Sequence, residues 1–177
     1  MKGKPPKSPA RPVVDVAWIA EALNRADVIL AAPPAKAHIV RVRPVGQGRL
    51  VARFVLPLTL APTLNAFAEL PHYARKKIKT AAAGLMLAQV RFQRGPLLSG
   101  RPFVRAVRFS SVEVDRDSGW CKVAIDRLTG KHGGLGYLED DKPSKLDLHA
   151  WWEPAPPKRG FVLVELWTGA SAARGAA

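Results

Sequence analysis

Two carboxylates, Asp115 and Asp117, stand two residues apart at the end of an apolar, β-rich run from Phe103 to Val114. In an extended segment the i and i+2 side chains leave the same face, so both can act at one point. A second acidic cluster, Glu139, Asp140 and Asp141, follows after a helix expected over Trp120–Leu128 and a Gly-rich loop. The stretch from Val112 to Asp141 thereby holds half of the chain's 14 acidic residues, on separate elements that can converge. A hard divalent cation such as Mg²⁺ takes oxygen ligands, keeps several waters, and is commonly held by a few carboxylates together with substrate phosphate. In phosphodiester hydrolysis such ions deprotonate the attacking water and stabilise the leaving oxygen. Taken singly, an Asp-x-Asp more often ends a strand and an Asp-Asp pair more often caps a turn. Both readings stay open on the residues alone.

The remainder of the chain supplies the opposite charge. With 28 Lys plus Arg against 14 Asp plus Glu in 177 residues, the formal charge is +14, which favours a polyanionic partner, most simply nucleic acid. An apolar content of 47% suits one folded domain with extensions and excludes a wholly disordered chain. The longest apolar candidate, Ala17 to Pro34, is broken by Glu21, Asn24, Arg25 and Asp27, so no membrane partner is expected. No signal-peptide pattern follows the basic N-terminus, and a cytoplasmic location is the expectation. The single cysteine, Cys121, excludes an internal disulfide and a cysteine-based zinc site, and its place on a helix suits packing.

Four segments follow in order: a disordered basic arm (1–12), an N-terminal extension (13–48), the main domain (49–168) and a disordered tail (169–177). In the extension, Val16, Ile19, Ala20, Leu23, Ala26 or Asp27, and Leu30 follow a helical period over Val13–Ala31, with Asp15 as a candidate cap and Pro33-Pro34 as the stop. The run AHIVRVRP then alternates like a strand, and Gly46–Gly48 suggests a hairpin into a second strand, Arg49 to Leu58. A helix is expected from about Pro71 to Phe92. Its Arg75, Lys76, Lys77 and Lys79 crowd one end, while Ile78, Ala82, Leu85 and Leu87 form an apolar side. These cations, with Asn65, His72 and Tyr73 nearby, are candidate DNA contacts, although such a charge run is often only a solvated face. Lys145–Trp152 and Gly160–Trp167 read as two strands joined by the Pro-rich EPAPPKR, an expected antiparallel hairpin. Trp151, Trp152 and Trp167 suit either core packing or stacking on unpaired bases.

From about Arg49 to Thr168 these pieces together resemble the RusA-like Holliday junction resolvases, or crossover junction endodeoxyribonucleases, of phages and bacteria. The resemblance rests on order and spacing: FVLPLTLAPTLNAF, the basic helix HYARKKIK, Asp115-x-Asp117, KVAIDRL, the Gly-rich turn, Asp140-Asp141 and the closing GFVLVEL. It implies a small α+β fold, a mixed β-sheet with packed helices, to which the N-terminal helix and hairpin are added. It further implies a homodimer that grips a four-way DNA junction and cuts two strands symmetrically with Mg²⁺. By position Asp115, Asp117 and Asp141 correspond to metal ligands, with Asp140 as a helper and Lys122 as the functional lysine. Asp126 falls on an acidic helix position that suits a structural or a metal role. Ser118 stands where the family usually carries Asn, and the interval from Asp117 to Lys122 is one residue longer than in the best-known member.

The leading expectation is therefore a metal-dependent endonuclease acting on branched DNA in recombination and repair. The alternative is a non-catalytic DNA-binding module on the same scaffold, and a basic RNA- or ribosome-associated protein comes third. The carboxylates discriminate among them, because a pure binder gains nothing from acidic groups that repel phosphate.

Overall fold

The structure, a computed structural model, describes residues 15–45, 48–90, 97–98, 100–115, 119–130, 134–142, 144–168 and 171–174. The expected basic arm of residues 1–12 lies outside them, as does Asp117. Helix α1, Val16–Ala31, begins where Asp15 accepts a hydrogen bond from the Trp18 N–H at 3.0 Å. Its buried stripe is set by Ala22 and Ala26, flanked by Trp18, Ile19, Leu23, Ile29 and Leu30, whereas Val16 and Ala20 face outward. Ile19, Leu23, Ala26 and Leu30 therefore lie on the expected face, whereas Val16 and Ala20, also expected there, do not.

Strands β1 (Val42–Val45) and β2 (Arg49–Pro57) follow. Helix α2 (Leu64–Ala68) is capped by Thr63, and α3 (His72–Gln89) leads toward β3 (Phe103–Ser110). Helix α4 spans Lys122–Leu128, and β4 (Asp147–Pro154), β5 (Phe161–Thr168) and β6 (Ser171–Arg174) complete the order. The result is a mixed α+β fold around a four-stranded sheet in the order β2-β5-β3-β4.

Both expected hairpins are absent. β1 pairs with β6 rather than β2, Val42 lying opposite Arg174, so residues 171–174 of the expected disordered tail form a strand. β4 and β5 are not neighbours; β5 runs antiparallel between β2 and β3, and β4 runs parallel to β3 on its other side. EPAPPKR therefore links an edge strand to a central strand across β3. Parallel neighbours need a crossover, and residues 111–146, including α4, provide it. The whole acidic stretch lies in that connection.

The sheet is covered on both faces. On one, Phe54, Leu56, Val104, Ala106, Val164 and Leu166 pack with Ala82 and Met86 of α3 and with Trp120, Val123 and Leu128 around α4. On the other, Val55, Phe103, Val107, Phe109 and Leu163 meet α1. Trp151 and Trp152 belong to this second core, and Trp167 packs against it, so the packing reading holds for all three. A polar row crosses the same face in register, Arg53 beside Glu165, Arg105 and His149. Arg53 also reaches Asp27 of α1 at 3.1 Å.

Arg41 fixes the end of α1 to the sheet. Its guanidinium donates to both carboxylate oxygens of the fully buried Glu153, at 2.5 and 2.8 Å, and to the Leu30 and Ala32 carbonyls. Those carbonyls belong to the helix end, where intrahelical partners run out.

The open edge of β2 is met by Gln89. Its amide accepts from the Val55 N–H and donates to the Val55 carbonyl, each at 2.9 Å, as a neighbouring strand would. Gln89→Ala leaves both groups without that partner, and a loss of about 1–3 kcal/mol is expected in urea unfolding. A midpoint unchanged from the wild type would contradict this role.

Candidate functional site

The Gly-rich loop after α4 brings the second acidic cluster back onto the helix. The N–H groups of Leu135 and Leu138 donate to the Arg127 and Leu128 carbonyls at 2.7 and 3.0 Å, and Thr129 and Leu138 form a parallel bridge. Gly134 is required here, since a Cβ would lie 1.9 Å from the Thr129 oxygen. From Leu138, three residues in extended form span roughly 10 Å, about the rise of α4 from Leu128 back to Lys122. Asp141 consequently meets the Lys122 ammonium, which also pairs with Asp126 at 2.7 Å, one helical turn along.

Burial would pull the Lys122 pKa down, but the hydrogen bonds to Asp126 and Asp141 outweigh it and hold the ammonium above its ordinary value. Lys79 of α3 lies 3.8 Å from the same Asp126. Asp140 turns its carboxylate onto the Asp141 N–H at 2.8 Å and pairs with Lys142 at 3.4 Å, so it shapes the backbone at Asp141.

Beside this cluster lies a basic cleft between α3 and α4. His72, Arg75, Lys76, Lys79, Thr80 and Arg127 surround a space of about 350 Å³ above Phe67. A second hollow of about 260 Å³ shares Phe67, Arg75 and Lys79 and extends to Lys122 and Asp126, so the two form one groove ending there. Of the expected DNA contacts, His72, Arg75, Lys76 and Lys79 line the groove, while Asn65 and Lys77 are exposed outside it. Phe67 and Arg127 were not singled out from the sequence. Arg127 sits beside the buried Ile125 and Leu128 of α4 and is itself 7% exposed, a burial the pattern KVAIDRL does not signal.

Asp115 stands elsewhere. It is exposed beyond the end of β3 and lines a recess of about 300 Å³ with His38, Glu113, Trp151 and Trp152. Lys36 and His38 bond Glu113 at 2.9 and 2.7 Å and hold its carboxyl below the usual range. The extension thus borders this recess. Among the described residues, no three or more His, Cys, Asp or Glu side chains are grouped closely enough to hold a metal ion together. The expected set of Asp115, Asp117 and Asp141 is therefore represented here by Asp141, with Asp126 beside it and Asp115 in a separate recess.

Cys121 is packed in the first core, and burial pushes its thiol up to about 11. At pH 8 only about one molecule in a thousand then carries the thiolate that reacts. Alkylation by iodoacetamide is expected to be slow in the native protein and rapid in guanidinium, as mass spectrometry would show; rapid native labelling would contradict the packing.

Comparison of the chain with protein-family models, curated proteins and solved structures finds no match. Among the described residues, no helix is long and apolar enough to cross a membrane.

Proposed function

We propose that the protein is a Mg²⁺-dependent, structure-specific endonuclease that hydrolyses phosphodiesters in branched DNA, such as a four-way junction, during recombination or repair. The observation that carries this reading is a groove of cationic side chains that reaches Asp126 and Lys122, the lysine in turn pairing with Asp141. Cations alone would suit a binder, whereas carboxylates at the end of a phosphate track weaken binding unless they serve chemistry.

Mg²⁺ needs only one or two protein carboxylates beside water and phosphate, so the oxygen donors of Asp126 and Asp141 fit it; the RusA-like resemblance would add Asp117, while Asp115 lies in its separate recess. Bound there, the ion would activate water and stabilise the leaving oxygen. Arg75, Lys76 and Lys79 would hold the backbone phosphates, with the strand laid toward Lys122. Lys122, already between the carboxylates, is placed to steady negative charge developing on a phosphate beside them. A RusA-like homodimer would present two such sites to the two equivalent strands of a junction.

A non-catalytic DNA-binding module is the second reading. It is favoured by Lys122, which supplies the described carboxylate pair with a cation of the protein's own. A gel assay on an end-labelled four-way junction separates the two, run in Mg²⁺ and in EDTA with wild type and Asp117→Asn. Paired nicks that need Mg²⁺ and vanish in the variant support the nuclease. Tight junction binding without cutting, across several divalent metals and junction sequences, supports the binder.

A further inference from the structure

The groove between α3 and α4 combines cationic and apolar side chains in its lining. Of its two hollows, the one of about 350 Å³ lies at the small end of the range for pockets that enclose a small organic ligand, and the one of about 260 Å³ falls just below it. Its lining is mixed: the cations Arg75, Lys79 and Lys122 share the second hollow with the apolar Pro62, Leu64, Phe67, Ala68 and Val123. Phe67 is half-buried and borders both hollows, and the Lys79 ammonium lies over its ring, 5.7 Å from the centroid, where a base would stack only by moving that cation aside. Arg75 borders both hollows, and its guanidinium brings a positive charge to the wall of the groove.

A duplex keeps its bases stacked inside and offers only phosphates to such a recess, leaving the apolar lining unused. An unpaired strand offers phosphate to the cations and a base face to the aromatic ring, the combination by which proteins hold single strands. Resting on the nucleic-acid reading above, we infer that this groove seats an unpaired nucleotide next to the scissile phosphate. Branched DNA with unpaired bases at the branch point would then be preferred over fully paired DNA.

The test uses the full chain and fluorescence anisotropy with three probes: an oligo-dT strand, a blunt duplex, and a four-way junction carrying two unpaired thymidines at its crossover. The single strand and the gapped junction are expected to bind at least about 10-fold more tightly than the duplex. Phe67→Ala is expected to weaken those two by about 5- to 150-fold, the range for loss of one stacked base, and to change duplex binding by less than about 2-fold. Because Phe67 also packs on the core, Arg75→Gln, at a partly buried position, with Lys76→Gln, at an exposed one, gives a second reading. That pair should reduce the salt dependence of single-strand binding by about one and a half in log K against log salt.

Equal affinity for strand and duplex, or an unaltered salt slope in the arginine–lysine variant, overturns the inference. So does equally tight uptake of a phosphoserine peptide or of anionic lipid vesicles. Cleavage of the same junctions is scored in parallel. Strand preference without any cutting removes the nuclease and leaves the groove assignment, whereas cutting without strand preference does the reverse.

Discussion

Asp141→Asn is expected to cut a four-way junction roughly 10²–10³-fold more slowly than the wild type, the scale seen when a single charge-stabilising group is removed from a hydrolytic site. Binding of the junction should persist or tighten, because a carboxylate that repels phosphate has been neutralised. The variant is a clean one. Lys122 is 53% exposed and keeps Asp126 at 2.7 Å, and exposed pairs of this kind contribute about 0–1 kcal/mol, so the fold should survive. Single-turnover cleavage beside anisotropy decides the matter. An unimpaired cleavage rate would remove Asp141 from the chemistry, and loss of binding in a folded variant would assign it a gripping role instead.

The second large effect falls far from the groove, on Glu153. Its side chain is wholly buried and receives two bonds from Arg41 and one from the Trp151 indole at 3.0 Å. Glu153→Gln keeps the shape but leaves the guanidinium of Arg41, 7% exposed, without its counter-charge. Breaking a buried pair from one side costs about 3–5 kcal/mol, which lowers the Tm of a protein this size by roughly 6–20 °C. Calorimetry of the two variants should therefore diverge, with a large shift for Glu153→Gln and little for Asp141→Asn. Pairing Glu153→Leu with Arg41→Met should recover part of the loss. Recovery should be incomplete, since Arg41 also closes the Leu30 and Ala32 carbonyls at the end of α1. A Glu153→Gln protein as stable as the wild type would contradict the pinning of α1 by this pair.

Much of the local structure was legible in the residues. Asp15 marks the start of α1, the cluster of cations marks the outer side of α3, and the β-rich runs fall within a few residues of the observed strands. Partner choice was not legible. Strand propensity records how a segment packs on a pleated surface and says little about which strand lies beside it. Thus EPAPPKR looked like a local turn although β5 inserts between β2 and β3, and Gly46–Gly48 looked like a hairpin although β1 pairs with residues 171–174. The site divides in the same way. Lys122 and Asp126 are one helical turn apart and readable as neighbours, but Asp141 reaches them through a fold-back that depends on Gly134 having no side chain. The groove depends on α3 and α4, distant in sequence, lying side by side.

The position of β5 fixes when this protein can fold during its own synthesis. β5 is a central strand, yet Phe161–Thr168 is translated after every other strand of its sheet, and both β2 and β3 use it as their antiparallel neighbour. At typical elongation rates β2 waits on the order of ten seconds for that neighbour to be made. During this time only the parallel β3–β4 ladder has both of its strands. Nascent chains halted before Phe161 should accordingly remain open to proteases and dependent on holding chaperones, whereas chains released only slightly beyond Thr168 should close the sheet in one late, concerted step.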